Sequence, residues 1–247
     1  KGVDMQPGES FVVETDTVIT AIWRDMTVFV GGVEMNDGYY LATGSSTPTT
    51  TKPSGGYAFY DEGKLVLNNY TYTGFGVQFS GIHHAAIFSA KTLNIELIGT
   101  NTLTLKQDDD HLPIGIVLRD DNSNMEIRGE GALSITGGGT AIEARKGGTI
   151  TVHSGTITTD CDGTGIKSDL TDFVMNGGNV TLVSKQATGM MAGSITVNGG
   201  TLDVTGAPYG QGIASQNGDI IINGGKVIVR CNDGDGNDDE NYALRVA

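Results

Sequence analysis

The chain has few of the residues that often stabilise small or compact proteins. Its 247 residues include 2 cysteines and 5 prolines, and 6% of them are aromatic. Two cysteines exclude the framework of a small disulfide-rich domain. No apolar run is long enough to span a membrane, so we expect no membrane insertion. The low aromatic content suits a core filled with isoleucine, valine and leucine.

Positive charge is also scarce. There are 15 Lys and Arg residues against 29 Asp and Glu, which gives a net charge of −14. This charge argues against nucleic acid and anionic membranes as partners. It also disfavours polyanionic sugars, unless a cation bridges them. No signal-peptide pattern is present, which is compatible with a secreted chain whose leader has been removed.

No motif for a serine or cysteine nucleophile is present. The histidines His83, His84, His111 and His153 lack cysteine or carboxylate partners at zinc spacing. Recognisable catalytic and zinc-binding patterns are therefore missing from the sequence.

The chain repeats itself from about residue 58 to its end. A small residue followed by a large aliphatic or aromatic one recurs at Ala58-Phe59, Ala86-Ile87, Gly115-Ile116, Ala141-Ile142, Gly165-Ile166, Gly189-Met190, Gly212-Ile213 and Ala243-Leu244. The steps between the second residues are 28, 29, 26, 24, 24, 23 and 31. Repeats of this length indicate a solenoid or an array.

Each repeat holds three short runs with the alternating or β-branched pattern of strands, and no helical period appears. Between the second and third runs lies a glycine turn, as in 176–178, 198–200 and 223–225, which all read Asn-Gly-Gly. Asn-Gly-Gly is typical of a β-hairpin. Three strands per repeat fit a hairpin poorly, and they fit a chain that bends at each corner and continues to wind.

The repeat therefore predicts an all-β fold, a right-handed parallel β-helix with three strands per coil and about eight coils. Inward residues should stack along the axis, with Ile87, Ile116, Ile142, Ile166, Met190 and Ile213 in one stack. Asn176, Asn198 and Asn223 should form a hydrogen-bonded ladder. His153 holds the same phase, and we interpret it as a ladder position, with a catalytic role as the alternative. A β-sandwich is the main architectural competitor.

Residues 1–57 depart from the repeat. Gly31-Gly32 followed by 33–35 resembles one irregular coil, so we assign 1–57 as an N-terminal cap with an imperfect first coil. Residues 58–247 are then one continuous β-helix. A cap is expected because the open end of a solenoid exposes unpaired strand edges.

The cysteines can be placed by their phase in the repeat. Cys161 lies 19 residues after Ile142, and Cys231 lies 18 residues after Ile213. Both should occupy one corner, three coils and roughly 14 Å apart. A disulfide needs Cα atoms within about 7 Å, so two free thiols are predicted.

Acidic residues collect at the corner after the third strand, and one loop there is a candidate calcium site. Oxygen-bearing side chains alternate at Asp233, Asp235, Asn237 and Asp239. Calcium prefers such oxygen ligands. The glycine and glutamate that an EF-hand needs are replaced by Asp238 and Leu244, so an EF-hand is ruled out. Solvated loops that carry excess charge are the alternative.

Two other groups are candidates for carbohydrate binding. Tyr70 and Tyr72 belong to an aromatic concentration with Phe75 and Phe79, which could form a sugar platform or pack against the cap. The edge after the first strand carries mixed charge, with Arg119, Arg145 and Lys167 as the basic candidates. Its members are Lys91, Arg119, Asp120, Asp121, Arg145, Lys146, Lys167, Asp169 and Asp172. A basic residue beside calcium-bound carboxylates would suit a lyase, and paired carboxylates would suit a glycosidase. Ordinary surface ion pairs are the alternative.

Several segments carry a family resemblance. They are 57–60, 64–70, 85–87 and 93–101, together with the later coils of the form small-Ile, strand, Asn-Gly-Gly, strand. They resemble secreted bacterial right-handed β-helix domains of the pectate-lyase-like superfamily, over residues 57–247. Some of those domains bind carbohydrate with calcium and others are lyases. The matching motifs belong to the scaffold, so no catalytic residue is carried over.

These observations lead us to expect an extracellular or cell-surface module that binds a polysaccharide or cell-wall glycan without catalysis. The alternatives are a calcium-dependent polysaccharide lyase or glycoside hydrolase, and a structural spacer or adhesin repeat.

Overall fold

A computed structural model describes residues 28–246 apart from Lys146, Asp169, Tyr209 and 232–242. These residues form strands and turns with no helix, and the strands make three sheets. In the described part of the chain there is accordingly no helix that is long and apolar enough to cross a membrane.

The first sheet contains ten strands. They are β1 (Val28–Val30), β2 (Val33–Glu34), β7 (Val77–Ser80), β8 (His83–Ser89), β11 (Leu112–Leu118), β14 (Thr140–Ala144), β17 (Ile166–Lys167), β20 (Met190–Ala192), β23 (Ile213–Ser215) and β26 (Leu244–Val246).

The second and third sheets contain nine and seven strands. The second holds β3 (Tyr39–Ala42), β4 (Tyr57–Asp61), β5 (Lys64–Asn68), β9 (Leu93–Ile98), β12 (Met125–Gly129), β15 (Thr149–Val152), β18 (Asp172–Met175), β21 (Ile195–Val197) and β24 (Ile220–Ile222). The third holds β6 (Thr71–Gly74), β10 (Thr100–Leu105), β13 (Ala132–Gly137), β16 (Thr156–Cys161), β19 (Asn179–Ser184), β22 (Thr201–Gly206) and β25 (Lys226–Cys231).

The chain visits the three sheets in turn, which makes it a right-handed parallel β-helix with three strands per coil. Six complete coils run from β8 to β25 in the described residues. A partial coil of β5 and β6 precedes them, and β26 begins another after them. The predicted fold is confirmed, and its count of about eight coils includes the two partial ones.

The predicted aliphatic stack is also confirmed. In the first sheet Ile87 pairs with Ile116, and the register continues through Ile142, Ile166, Met190 and Ile213. Every one of these side chains is at most 1% exposed. They form one core with the inward residues of the other two sheets.

The small residue of each repeating pair has a packing reason. Ala141 and Ile142 both belong to the core, so the first strand presents two consecutive residues inward. A Cβ added at Gly189 would lie 2.4 Å from Val204 Cγ1, and one at Gly212 would lie 2.2 Å from Val229 Cγ1. The third strand of the same coil fills this space, so a large side chain would be overpacked.

The asparagine ladder forms as predicted along the corner between the second and third sheets. Asn198 Nδ2 donates to Asn176 Oδ1 at 2.9 Å, and Asn223 Nδ2 donates to Asn198 Oδ1 at 2.8 Å. His153 Nδ1 lies 3.4 Å from Asn176 Nδ2, so His153 extends the ladder by one coil.

Two expectations about the N-terminal segment are wrong. Ala58-Phe59 lies in β4, which pairs antiparallel with β3 and β5 in the second sheet instead of joining the first. Residues 31–35 do not form an irregular coil, because β1 and β2 make an antiparallel hairpin.

Turn geometry explains both errors. Glu62 and Gly63 have φ of 43° and 82°, and Gly31 and Gly32 have φ of 60° and 81°. Two consecutive residues with positive φ make the tight turn that reverses a strand. In 176–178 only Gly178 has positive φ, at 81°, and there the chain bends and winds on.

The boundary between residues 57 and 58 stays a prediction. Among the described strands, antiparallel pairing involves only β1–β5, β7 and β8, and it therefore extends past that boundary.

Candidate functional site

A groove lies where the antiparallel N-terminal strands meet the corner between the first and second sheets. It encloses about 770 Å³. One wall comes from the N-terminal part of the chain and consists of Met35, Asn36, Asp37, Tyr60, Glu62 and Gly63. The other wall comes from two successive coils and consists of Ala90, Lys91, Thr92, Asp120, Asp121, Asn122 and Ser123.

Local structure explains how the first wall is held. The β4–β5 turn places Glu62 at the rim, and the Glu62 N–H donates to Asp37 Oδ1 at 2.8 Å. Tyr60 is half-buried beneath this turn. Burial raises the pKa of Tyr60, and the nearby charge of Asp37 raises it further. The Tyr60 hydroxyl therefore stays protonated at neutral pH and can donate to a ligand.

The second wall follows from the winding of the coils. Lys91 follows β8, and 120–123 follow β11, so both segments leave the first sheet at the same edge. Met35, Ala90 and Ser123 are at most 8% exposed and form the floor, whereas Lys91 and Asp120 are exposed on the rim. The groove thus combines a partly apolar floor with a polar rim.

This arrangement is suited to binding polyhydroxylated ligands. Carboxylates accept hydrogen bonds from sugar hydroxyls, while the side chains of Asn36 and Tyr60 can both donate and accept. Sequence reasoning identified Lys91, Asp120 and Asp121 as members of a mixed-charge edge. It missed the opposite wall, because that wall depends on the β4–β5 hairpin.

The predicted basic candidates Arg119, Arg145 and Lys167 are not among the described residues that line this groove. Glu143 and Lys167 are paired in register on the outer face of the first sheet. Arg145 Nε lies 2.7 Å from Glu143 Oε1, and its guanidinium lies 4.9 Å from the Phe79 ring centroid. Arg119 is exposed just after β11, one coil before Arg145. The carboxylate of Glu143 therefore pairs with Arg145, the strand register places Lys167 beside Glu143, and Arg119 lies at the edge.

The tyrosine candidates are enclosed in the scaffold. Tyr70 is 2% exposed and belongs to the core, and Tyr72 is half-buried against it. A Cβ added at Gly31 would lie 2.6 Å from Tyr70 Oη, so the β1–β2 turn covers this ring closely. Burial raises the pKa of Tyr70 above its usual range. These positions fit packing against the N-terminal strands, the alternative to a sugar platform.

A histidine cluster at the corner after the third sheet was not found from the sequence. His111 Nδ1 lies 2.6 Å from Asp108 Oδ1, and this hydrogen bond lowers the pKa of Asp108. The His111 ring stacks on Phe75 at 4.2 Å and lies 4.8 Å from the His84 ring. Only the short spacing from Asp108 to His111 could have signalled this pair.

The predicted calcium ligands Asp233, Asp235, Asn237 and Asp239 lie outside the described residues. Within the described ranges, no group of three or more His, Cys, Asp or Glu side chains is arranged to hold a metal ion. At the corner after the third strand, where the sequence places the acidic residues, Asp160 Oδ1 lies 2.9 Å from Lys185 Nζ.

Comparison of the chain with protein-family models, curated proteins and solved structures found no match. The evidence for the all-β parallel architecture is therefore the pairing of the strands.

Proposed function

We propose that this chain is an extracellular or cell-surface module that binds a polysaccharide or cell-wall glycan without catalysis. The observation that carries the proposal is the groove of about 770 Å³, with its partly apolar floor and its rim of hydroxyl, amide and carboxylate groups. Clefts with an apolar surface and a few polar groups are typical ligand sites. We also propose that the chain belongs to the pectate-lyase-like superfamily and is secreted, on the basis of its coil motifs.

Removing polar side chains from the groove should weaken glycan binding. Asn36 lies on the rim and Ser123 on the floor, so the double variant Asn36→Ala, Ser123→Ala loses two sites for hydrogen bonds. Each hydrogen bond contributes about 0.5–1.5 kcal/mol, so we expect an affinity loss of about tenfold. Calorimetric titration with hexasaccharides of neutral, amino and uronic acid sugars measures this change.

The double variant Thr158→Ala, Asn179→Ala is a matched control, because both side chains are exposed on the third sheet, away from the groove. It should bind like the wild type. Chromatography of the sugars after incubation tests for catalysis. Shortened or unsaturated products would contradict the non-catalytic proposal and favour a glycosidase or lyase. Binding of no sugar at all would favour a structural spacer.

Calcium binding remains a proposal for the loop 233–239. Its carboxylates repel one another, so a bound cation would stabilise the folded state. We expect millimolar calcium to raise the melting temperature of the wild type and not that of the variant Asp233→Ala, Asp235→Ala. Differential scanning calorimetry checks this, and an unchanged wild-type curve would contradict the site.

A further inference from the structure

The rim of the groove carries mostly negative charge. The described residues that line it carry four carboxylates, Asp37, Glu62, Asp120 and Asp121, and one cation, Lys91. Opposite walls supply two carboxylates each, so a molecule lying in the groove would have negative charge on both sides. A concave site lined by one sign of charge concentrates ligands of the opposite sign.

The carboxylates do not converge on one point. In the described part of the chain, no three acidic or histidine side chains are placed to share a metal ion. The groove is therefore unlike a cage for a single cation. Its charge is spread along two walls, which suits an extended ligand with several positive groups.

A separate observation at the floor indicates a ligand with hydroxyl groups. Ser123 is 8% exposed and lines the groove. Its backbone N–H donates to the Asp120 carbonyl at 3.3 Å. Its hydroxyl is not among the fully enclosed polar atoms that lack a partner in the described residues, so water reaches it. A serine hydroxyl both donates and accepts hydrogen bonds, so a sugar hydroxyl in the groove can replace that water.

The floor also offers apolar contact. Met35 is 1% exposed and Ala90 is 7% exposed, and both line the groove beside Ser123. The C–H face of a sugar ring can pack on such a surface, while its polar substituents point to the rim.

Building on the proposed function, we infer that the groove binds a polysaccharide of amino sugars whose amines are free and protonated. The ammonium groups would lie between the rim carboxylates, and a ring hydroxyl would bond to Ser123. Polyuronates carry the wrong charge for this rim. Neutral glycans would gain the floor contacts without the ionic ones.

The inference predicts opposite effects for two kinds of variant. The double variant Glu62→Gln, Asp120→Asn should bind a glucosamine hexamer about tenfold more weakly, because two ionic contacts are lost. The variant Lys91→Met keeps the aliphatic stem and removes the competing positive charge, so it should bind the hexamer about threefold more tightly. Calorimetric titration at pH 6 in low salt measures both.

The control is Glu130→Gln, Asp109→Asn. It changes the net charge by the same amount at exposed positions that do not line the groove. It should bind like the wild type. Raising the ionic strength should weaken binding of the glucosamine hexamer, and raising the pH to 9 should remove its advantage over the N-acetylated hexamer.

Each result has one meaning. Equal or tighter binding of the N-acetylglucosamine hexamer at pH 6 would overturn the inference and leave the proposed function intact. An equal loss in the control variant would assign the effect to net charge and overturn the inference as well. If a lysine hexamer binds as tightly, with the same response to the variants, the groove is a general polycation site and the assignment to amino sugars is overturned. Failure of every sugar would contradict the proposed function itself.

Discussion

Replacing Ile142 with alanine is expected to lower the free energy of unfolding by about 2–5 kcal/mol. The side chain is fully buried and lies between Ile116 and Ile166 in the central stack of the first sheet. Truncation removes its apolar contacts and leaves a cavity. The neighbouring coils cannot fill this cavity without disturbing the backbone hydrogen bonds between their strands. Chemical denaturation of wild type and variant measures the loss.

A graded series tests whether packing is the cause. Ile142→Val removes one methylene and should cost about 0.5–1.5 kcal/mol. Thr158→Val, in the same coil but exposed on the third sheet, should change the free energy of unfolding by about 0.5 kcal/mol or less. A loss below about 1 kcal/mol for Ile142→Ala would mean that the stack is not closely packed at this coil.

The stack illustrates what could be predicted from the sequence. Each coil makes the same contacts with its neighbours, so the same kind of residue is required at each step. Ile116 and Ile142 are 26 residues apart, but they hold the same position in successive repeats. That shared position is enough to predict that they are neighbours. The asparagine ladder follows for the same reason, because Asn176 and Asn198 hold equivalent corners and bond to each other.

The N-terminal strands could not be predicted in this way, because they do not repeat. Ala58-Phe59 matches the pair motif and falls at a step of 28 residues, so it entered the repeat by coincidence. The decisive feature is the backbone of Glu62-Gly63, where both residues have positive φ. Glutamate seldom adopts that conformation, so the sequence carries little warning of the reversal.

The candidate site was predicted only in part for the same reason. Lys91, Asp120 and Asp121 follow first-sheet strands and could be placed at one edge. Asp37 and Glu62 reach the opposite wall only because β4 and β5 fold back on each other. Scaffold residues recur at the same position in each coil, so the sequence repeat predicts where they lie. Functional residues on a wall that does not repeat cannot be placed in this way.

The absence of a disulfide between the two cysteines is another expectation from phase that the structure confirms. Neither Cys161 nor Cys231 forms a disulfide. The third-sheet register runs from Cys161 to Ser184, and from Gly206 to Cys231, so both cysteines occupy the same corner. Cys161 is fully buried, and its Sγ lies 3.6 Å from the carbonyl oxygens of Gly163 and Thr164.

The stability of the fold should therefore decrease in alkali partly because of Cys161. Burial raises the pKa of this thiol from 9.0 to about 11. In the unfolded chain the thiol ionises near pH 9, whereas the folded chain holds it neutral until about pH 11. The unfolded state then binds fewer protons across this interval, so the free energy of unfolding falls as the pH rises. The contribution is fully present below pH 9, and about 2–3 kcal/mol of it is lost by pH 11.

The variant Cys161→Ala isolates this contribution. It lacks the ionising group, so its free energy of unfolding should fall less steeply between pH 9 and 11 than that of the wild type. Tyr70, whose pKa is also raised by burial, and the general repulsion among acidic groups act on both proteins alike. The difference between the two denaturation curves therefore reports the thiol.

Alkylation gives an independent measurement on the same residue. At pH 8 a pKa of about 11 leaves a thiolate fraction about 100-fold smaller than a pKa of 9.0 does. Iodoacetamide should therefore modify Cys161 at least about 100-fold more slowly in the folded chain than in denaturant. Parallel pH curves for wild type and variant, or rapid modification of Cys161 in the folded chain, would show that this corner of the solenoid opens to water.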